Sequence, residues 1–255
     1  MTQTHEGHRS HQDRLGVVDH DGRGTPAAEW AAWGRRFPEL DLRGWTRLVV
    51  VAPHPDDEVL GVGGLMQRAA DAGVEVVVVA VTDGTAAVPH GPWTPDQLGE
   101  VRVREHVAAC TVVGVAPPVR LGLPDGAVAD HERTLGERLA ELLDAQTVCV
   151  ATWSADGHPD HEASGRAAAA ACGRTGARLI AYPVWTWHWS RPDDPAVPWD
   201  RARELRLSPA EQEAKARAVQ CHRSQLEPPL TDPDSAPVLP GFVIERLVRD
   251  REVFW

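Results

Sequence analysis

Basic residues, long apolar runs and paired cysteines are all scarce in this chain. Its 26 Lys and Arg face 37 Asp and Glu, which gives a formal net charge of −11. Nucleic acids and anionic membrane surfaces are bound through Lys/Arg patches, so neither is an expected partner. Neither a membrane-length apolar run nor a secretory h-region is visible, which predicts a cytoplasmic protein without a membrane span.

The four cysteines lie far apart and form no C-x-x-C motif, so reduced core thiols are expected rather than disulfides or metal ligands. Tyr and Phe are also scarce, whereas there are ten Trp. The segment 185–189 holds three of them, and a strand would point these to alternate faces. We expect some, with Trp187 and His188, to line a cleft that binds a sugar ring or an apolar group. The alternative is a subunit interface of a homo-oligomer.

The apolar pattern alternates between strands and helices along most of the chain. We predict a flexible polar tail over 1–24, a short lid helix over 27–37 and one domain over 25–255. The domain is expected to be α/β and Rossmann-like, with a mostly parallel sheet and helices on both faces. Predicted strands cover 47–52, 74–81, 119–121, 147–151 and 179–181, followed by a closing strand pair over 242–255. Predicted helices cover 59–72, 94–113, 132–143, 162–172 and 209–222.

A tight polar cluster follows the first strand. His54, Asp56, Asp57 and Glu58 fall within five positions, where ligands bind in open α/β sheets. A neutral imidazole and a carboxylate are two of the three protein ligands of a typical catalytic zinc site, and a second carboxylate can act as base. The glycines at 61, 63 and 64 do not form G-x-G-x-x-G, and the acidic cluster would repel pyrophosphate, so a dinucleotide site is disfavoured.

A second polar cluster, His158-Pro159-Asp160-His161, follows a later predicted strand. Right-handed crossovers bring the carboxyl ends of parallel strands to one edge of the sheet. We therefore expect the two clusters to meet and to form a metal site. Capped turns would explain one acidic residue in each cluster, but not the accompanying histidines.

These two motifs together resemble those of the zinc-dependent PIG-L/LmbE-like de-N-acetylase family, over about residues 47–255. The resemblance implies His54, Asp57 and His161 as ligands of Zn²⁺. Fe²⁺ is compatible with the same ligands. The resemblance also implies Asp56 as general base and His158, if protonated, as the group that stabilises the oxyanion. The implied reaction is hydrolysis of an N-acetyl amide of an amino sugar or a related small molecule.

The sequence indicates the substrate-binding residues less clearly than the metal ligands. Arg104 and Asp125 match positions that hold sugar hydroxyls in similar deacetylases; a surface charge and a turn residue are the alternatives. Some thiol-pathway members carry an aromatic residue where this chain has Asp156, which argues against a mycothiol or bacillithiol precursor. Two other functions stay open: an amidase of larger amides such as mycothiol S-conjugates, and a non-catalytic metal-containing carbohydrate-binding protein.

Overall fold

A five-stranded parallel sheet in the order β3-β2-β1-β4-β5 forms the centre of the molecule. The structure is a computed structural model that describes residues 22–87, 93–228 and 236–255. The strands are β1 (Arg47–Ala52), β2 (Glu75–Ala80), β3 (Val119–Arg120), β4 (Thr147–Thr152) and β5 (Arg178–Tyr182). Each pairs in parallel with its neighbours, which confirms the predicted fold class.

Nine helices are present in the described part of the chain. They are α1 (Ala27–Ala32), α2 (Asp57–Asp71), α3 (Pro95–Val112), α4 (Glu132–Ala140), α5 (Pro159–Thr175), α6 (Thr186–Trp189), α7 (Pro209–Val219), α8 (Arg223–Leu226) and α9 (Gly241–Leu247), with short 3-10 turns at Val128–His131 and Trp199–Arg201. α2, α3 and α7 contribute to the core on one face of the sheet, and α4 and α5 to the core on the other. Consecutive residues of β1 therefore alternate between two cores, as a parallel strand covered on both faces requires.

The predicted closing strand pair is wrong. Residues 241–247 form helix α9, and only β7 (Arg251–Phe254) is a strand. β7 pairs antiparallel with β6 (Arg203–Arg206). The sequence of β6 is mostly charged, so its apolar pattern does not predict a strand. Leu205 of β6 and Phe254 of β7 are fully buried, so packing rather than local pattern determines this second sheet.

The predicted lid helix is shorter than expected and packs on the segment around α6. Trp30 of α1 donates from Nε1 to the carbonyl of Trp187 at 2.9 Å. The predicted tail falls largely on residues 1–21, which lie outside the described residues. All four cysteines are free, as expected. Among the residues that the structure describes, no helix has the length and apolar character of a membrane span.

Helix α2 is interrupted at Val62, whose φ and ψ of −139° and 23° are not helical. Backbone N–H groups that follow such a break need new acceptors. Glu252 of β7 supplies them, accepting from Gly64 N at 2.8 Å and from Leu65 N at 2.9 Å. Its carboxylate also pairs with Lys215 Nζ at 2.8 Å, and both side chains are buried. The last strand of the chain thus stabilises the helix that follows the first polar cluster.

We expect Glu252→Gln to lower the free energy of unfolding by about 3 to 5 kcal/mol, because it leaves the Lys215 ammonium buried without its counter-charge. Urea denaturation followed by circular dichroism measures this change. The matched control is Glu213→Gln in the same helix α7 as Lys215, where an exposed pair with Arg217 is lost and stability should hardly change. Equal effects of the two substitutions would contradict this account of the buried pair.

Candidate metal and catalytic site

The two polar clusters meet at the point where the strand order of the sheet reverses. β1 and β4 are neighbours, with Val51 paired to Ala151. β1 leads into the cluster His54–Glu58, and the loop after β4 leads into His158 and His161 at the start of α5. Ligands of open α/β sheets bind in the crevice at this point. The crevice is a cavity of about 340 Å³ lined by both clusters.

Asp57 lies at metal-ligand spacing from both His54 and His161, and ring nitrogens of His54, His158 and His161 lie within 4.8 Å of one another. Asp57 Oδ2 lies 3.2 Å from His54 Nδ1 and 3.2 Å from His161 Nε2. Ligands about 2.0 to 2.1 Å from a tetrahedral ion are about 3.3 Å apart, which these distances match. His161 Nε2 is buried and makes no hydrogen bond of good geometry among the described residues. Such an orphaned nitrogen beside a carboxylate fits a cation between them.

The outer nitrogens of both histidines are held by further carboxylates. His54 Nε2 lies 3.1 Å from Asp160 Oδ2 and 3.2 Å from Asp125 Oδ1. His161 Nδ1 lies 2.8 Å from Asp156 Oδ2. A carboxylate at one ring nitrogen fixes the proton there and leaves the lone pair of the other nitrogen for a metal. The residues therefore fit a His₂Asp site.

Asp56 lies next to this ligand set and is buried and strained. Its φ of 139° is in the region that favours glycine, and strain of this kind is typical of active sites. Its Oδ2 accepts from Arg102 at 3.0 Å. Burial raises the pKa of Asp56 to about 7 against the lowering effect of Arg102, and Asp57 adds to the rise. A carboxylate with such a pKa suits a general base near neutral pH.

His158 also faces the cavity. Its Nδ1 accepts a hydrogen bond from Asp160 N at 3.2 Å at the N-terminus of α5. An accepting Nδ1 carries no proton, so the neutral ring has its proton on Nε2. Burial, followed by the nearby His161 and His54, lowers the pKa of His158 to about 3. These contacts favour a neutral His158 with its proton on Nε2, whereas a protonated ring was considered from the sequence.

A model of the GlcNAc-PI de-N-acetylase family, PIG-L, matches residues 49–172. The 1D-myo-inositol 2-acetamido-2-deoxy-alpha-D-glucopyranoside deacetylase of Streptomyces avermitilis is 32% identical over 213 residues, which cover 68% of this chain and 70% of that protein. This chain belongs to the PIG-L family.

Other PIG-L relatives are matched over shorter stretches. Diacetylchitobiose deacetylase of Thermococcus kodakarensis is 25% identical over 124 residues, 47% of this chain and 46% of that protein. The chain spans about half the length of several of its curated relatives. A triple mutant of a deacetylase from the teicoplanin biosynthetic pathway superposes with a TM-score of 0.59 at 25% identity, over 71% of this chain and 83% of that one. The fold is thus one already seen in this family.

The structure brings most of the substrate residues expected from the sequence to the cavity of this PIG-L chain, but not Arg104. Asp125, Trp187 and His188 line it. The Arg104 side chain is 69% exposed and lies 3.9 Å from Glu100 on the outer face of α3. Arg102, two positions earlier, is buried and lines the cavity in its place. The substrate-binding role expected for Arg104 therefore has no support in the geometry.

A helical periodicity could have identified Arg102. Leu98, Arg102, His106 and Ala109 follow one another at spacings of three and four, and all are buried. Arg102 donates to the carbonyls of Pro55 and Gly84 as well as to Asp56. The roles of Asp156 and Asp160 carry no comparable signal, because their partners come from distant loops. The Trp-rich segment forms helix α6, with Trp187 and Trp189 buried and Trp185 facing the cavity.

We expect the protein to bind one equivalent of Zn²⁺, and His161→Ala to weaken that binding more than about 100-fold. The reason is that even loss of outer-shell partners costs about 10- to 100-fold in affinity. Competition with a chromophoric chelator measures the affinity. His131→Ala is the control, since His131 is outside the cavity lining and its removal should leave binding unchanged. Binding that survives in His161→Ala would show that other residues hold the metal.

Proposed function

We propose that this chain is a metal-dependent hydrolase that removes an acetyl group from the nitrogen of an amino sugar or a related small molecule. The observation that supports this most is the placement of Asp56, a strained carboxylate with a pKa of about 7, directly beside the His54–Asp57–His161 set. A metal-dependent amide hydrolase combines a Lewis-acid centre with an adjacent base. A cytoplasmic location and a homo-oligomeric state remain predictions.

Zn²⁺ is the proposed cofactor, and Fe²⁺ suits the same ligands. When bound, the ion supplies a Lewis acid that polarises an amide carbonyl and brings the pKa of water towards about 7. We assign His54, Asp57 and His161 as its ligands. Asp160, Asp125 and Asp156 hold the outer nitrogens of the two histidines and so fix which nitrogen faces the ion.

Asp56 moves the proton in the proposed reaction. It accepts a proton from the attacking water and later donates it to the nitrogen of the leaving amine. Arg102 keeps the Asp56 carboxylate in place through a 3.0 Å contact and donates to the Pro55 carbonyl at 2.9 Å. His158 donates from Nε2–H to the substrate oxygen as negative charge develops there. Because this ring is neutral, it would donate a hydrogen bond to the substrate oxygen as other neutral catalytic imidazoles at a helix N-terminus do.

An amino-sugar amide is the substrate class that the relatives favour. Those named above are called deacetylases of a GlcNAc-inositol and of diacetylchitobiose. Among the polar side chains that line the cavity, Asp125 and Gln225 are candidate partners for sugar hydroxyls. Asp156, where some thiol-pathway members carry an aromatic residue, is fully buried and is not part of the cavity lining. An acceptor other than a thiol precursor stays a prediction, which the panel of amides described below tests.

One feature of the cavity supports a larger amide as a second candidate. Several of the residues that line it are apolar, namely Leu60, Val184, Trp185, Leu239, Val243 and Leu247. An acetyl group would leave much of this surface uncovered, whereas a larger acyl or aglycone group would bury it. The remaining alternative, a non-catalytic binding protein, does not account for the strain and pKa of Asp56.

The decisive experiment is acid release from a panel of amides by metal-loaded protein, with and without a chelator. The panel contains N-acetylglucosamine, diacetylchitobiose, the GlcNAc-inositol amide and N-acyl analogues with longer chains. We expect chelator-sensitive release of acetate from at least one sugar, and loss of turnover by about 100- to 10,000-fold in Asp56→Asn. Asp56→Asn should still bind one equivalent of Zn²⁺, since Asp56 is not a proposed ligand.

The outcomes separate the candidates. Release of a larger acid without acetate release would favour the large-amide amidase. Full activity in Asp56→Asn would disprove the assignment of the base. Binding of sugars without release of any acid, by protein with bound zinc, would favour the non-catalytic alternative.

Arg102 and Arg104 give a matched pair of variants on one helix. We expect Arg102→Met to lower kcat/KM by at least about 10-fold, because loss of a hydrogen bond to a charged group costs about 1.5 to 3 kcal/mol. Arg104→Met should leave kcat/KM unchanged, since its side chain is exposed and away from the cavity. Steady-state kinetics on the best substrate of the panel measures both. The reverse ranking would restore the role first expected for Arg104.

A further inference from the structure

Asp156 is a fully buried carboxylate whose two oxygens carry different sets of contacts. Oδ1 accepts from Val184 N at 3.0 Å, Thr186 N at 2.9 Å and Thr186 Oγ1 at 2.6 Å. Oδ2 accepts from Trp185 N at 3.0 Å and lies 2.8 Å from His161 Nδ1. One buried side chain thus contacts a proposed metal ligand and three consecutive residues at the start of α6.

Those three residues belong to a wall of the cavity. Val184, Trp185, Trp187 and His188 line it, and their backbone enters α6 through the bonds to Asp156. The carbonyl of Asp156 also accepts from Trp189 Nε1 at 2.6 Å, at the end of the same helix. The helix has four residues and offers few hydrogen bonds of its own. Its position therefore depends on the Asp156 side chain and backbone, together with bonds from Trp30 Nε1 to the Trp187 carbonyl and from Thr25 N to the His188 carbonyl.

We propose that Asp156 is a positioning residue that fixes the metal-binding tautomer of His161 and, through the same carboxylate, the substrate wall at α6. The part of this inference that concerns the substrate rests on the proposed function. The part that concerns His161 and the metal rests on the contacts of Asp156 alone. A group on the substrate that packs against Trp185 would then be held in register with the metal ligands. Neither oxygen of Asp156 would touch the substrate or the ion.

The chemistry requires an aspartate rather than its amide at this position. His161 can ligate through Nε2 only if its proton is on Nδ1, and Oδ2 must accept that proton. In Asp156→Asn the amide group can keep its oxygen towards Val184 and Thr186. Its NH₂ would then face His161 Nδ1 and donate to it. The proton of the ring would move to Nε2, which is the nitrogen that the metal needs.

The test compares wild type and Asp156→Asn, with zinc affinity from chelator competition and the His161 tautomer from ¹⁵N spectra of the imidazole. We expect zinc affinity to fall about 10- to 100-fold, as for other outer-shell partners of metal-binding histidines. We also expect His161 of zinc-loaded wild type to carry its proton on Nδ1, and His161 of the zinc-free variant at high pH to carry it on Nε2. KM should rise as well, because the bond to Trp185 N is lost.

Thr186→Val is the matched control. It removes the hydroxyl donor at Oδ1 and leaves Oδ2 and His161 untouched, so zinc affinity and tautomer should stay as in wild type while KM rises. Zinc affinity of Asp156→Asn equal to that of wild type would overturn the proposal. So would an Nε2–H tautomer in zinc-loaded wild type, a measurement that does not depend on the folding of any variant. Absence of hydrolase activity would leave these two readouts intact and would count against the proposed function alone.

Discussion

The parallel pairing of β1 with β4 is the constraint on which the site depends. The two strands are adjacent in space but are separated by about 95 residues, by two other strands and by the helices that cover them. Their registered ends bring the loop that holds His54 against the loop that leads into His158 and His161 at the start of α5. A one-residue shift of either strand would exchange the two faces of its side chains and displace the loop. The buried Val, Leu and Cys residues of β1 and β4, shared between two cores, fix that register.

The charges gathered at this edge of the sheet favour the binding of a cation. Five carboxylates lie within the network of contacts around His54 and His161, namely Asp56, Asp57, Asp125, Asp156 and Asp160. Arg102 balances one of them. Without a metal, protonated histidines would have to compensate the charge of the remaining carboxylates. Burial lowers the pKa of His161, but Asp57 and Asp156 outweigh this effect and raise the pKa to about 9. A divalent ion between the rings and Asp57 would take over this compensation, since it neutralises charge where proton binding otherwise must.

The sequence predicts the fold correctly where a strand is buried on both faces or where a helix has a periodic apolar face. The five parallel strands and the helices between them follow from continuous apolar runs, from the Thr94-Pro95 cap and from the alternation of the two kinds of element. The pattern fails at the C-terminal end. Gly241–Leu247 has several β-branched and aromatic residues yet forms a helix, because Val243 and Leu247 are then buried on one side. The opposite occurs at β6. Its polar sequence does not predict a strand, yet it forms one because it pairs with β7.

The candidate site shows the same division. The residues expected as ligands and base are adjacent in two short motifs, and the fold brings those motifs together. Arg102 and Arg104 differ only in the face of α3 on which they lie, and helical periodicity decides between them. Asp156 and Asp160 could not be ranked from sequence, because their partners are backbone N–H groups of loops at 126–128 and 184–186. Such partners depend on tertiary structure alone.

The strain at Asp56 connects the site to the rest of the molecule. A non-glycine residue at a φ of 139° persists only where its surroundings overdetermine it. Here Leu60 N donates to the Asp56 carbonyl at 2.9 Å, and Arg102 holds both the Asp56 side chain and the Pro55 carbonyl. These contacts hold the first turn of α2, although the helix breaks one turn later at Val62. Glu252 and Lys215 stabilise the helix beyond that break, so the last strand of the chain helps to keep the proposed base in its strained position.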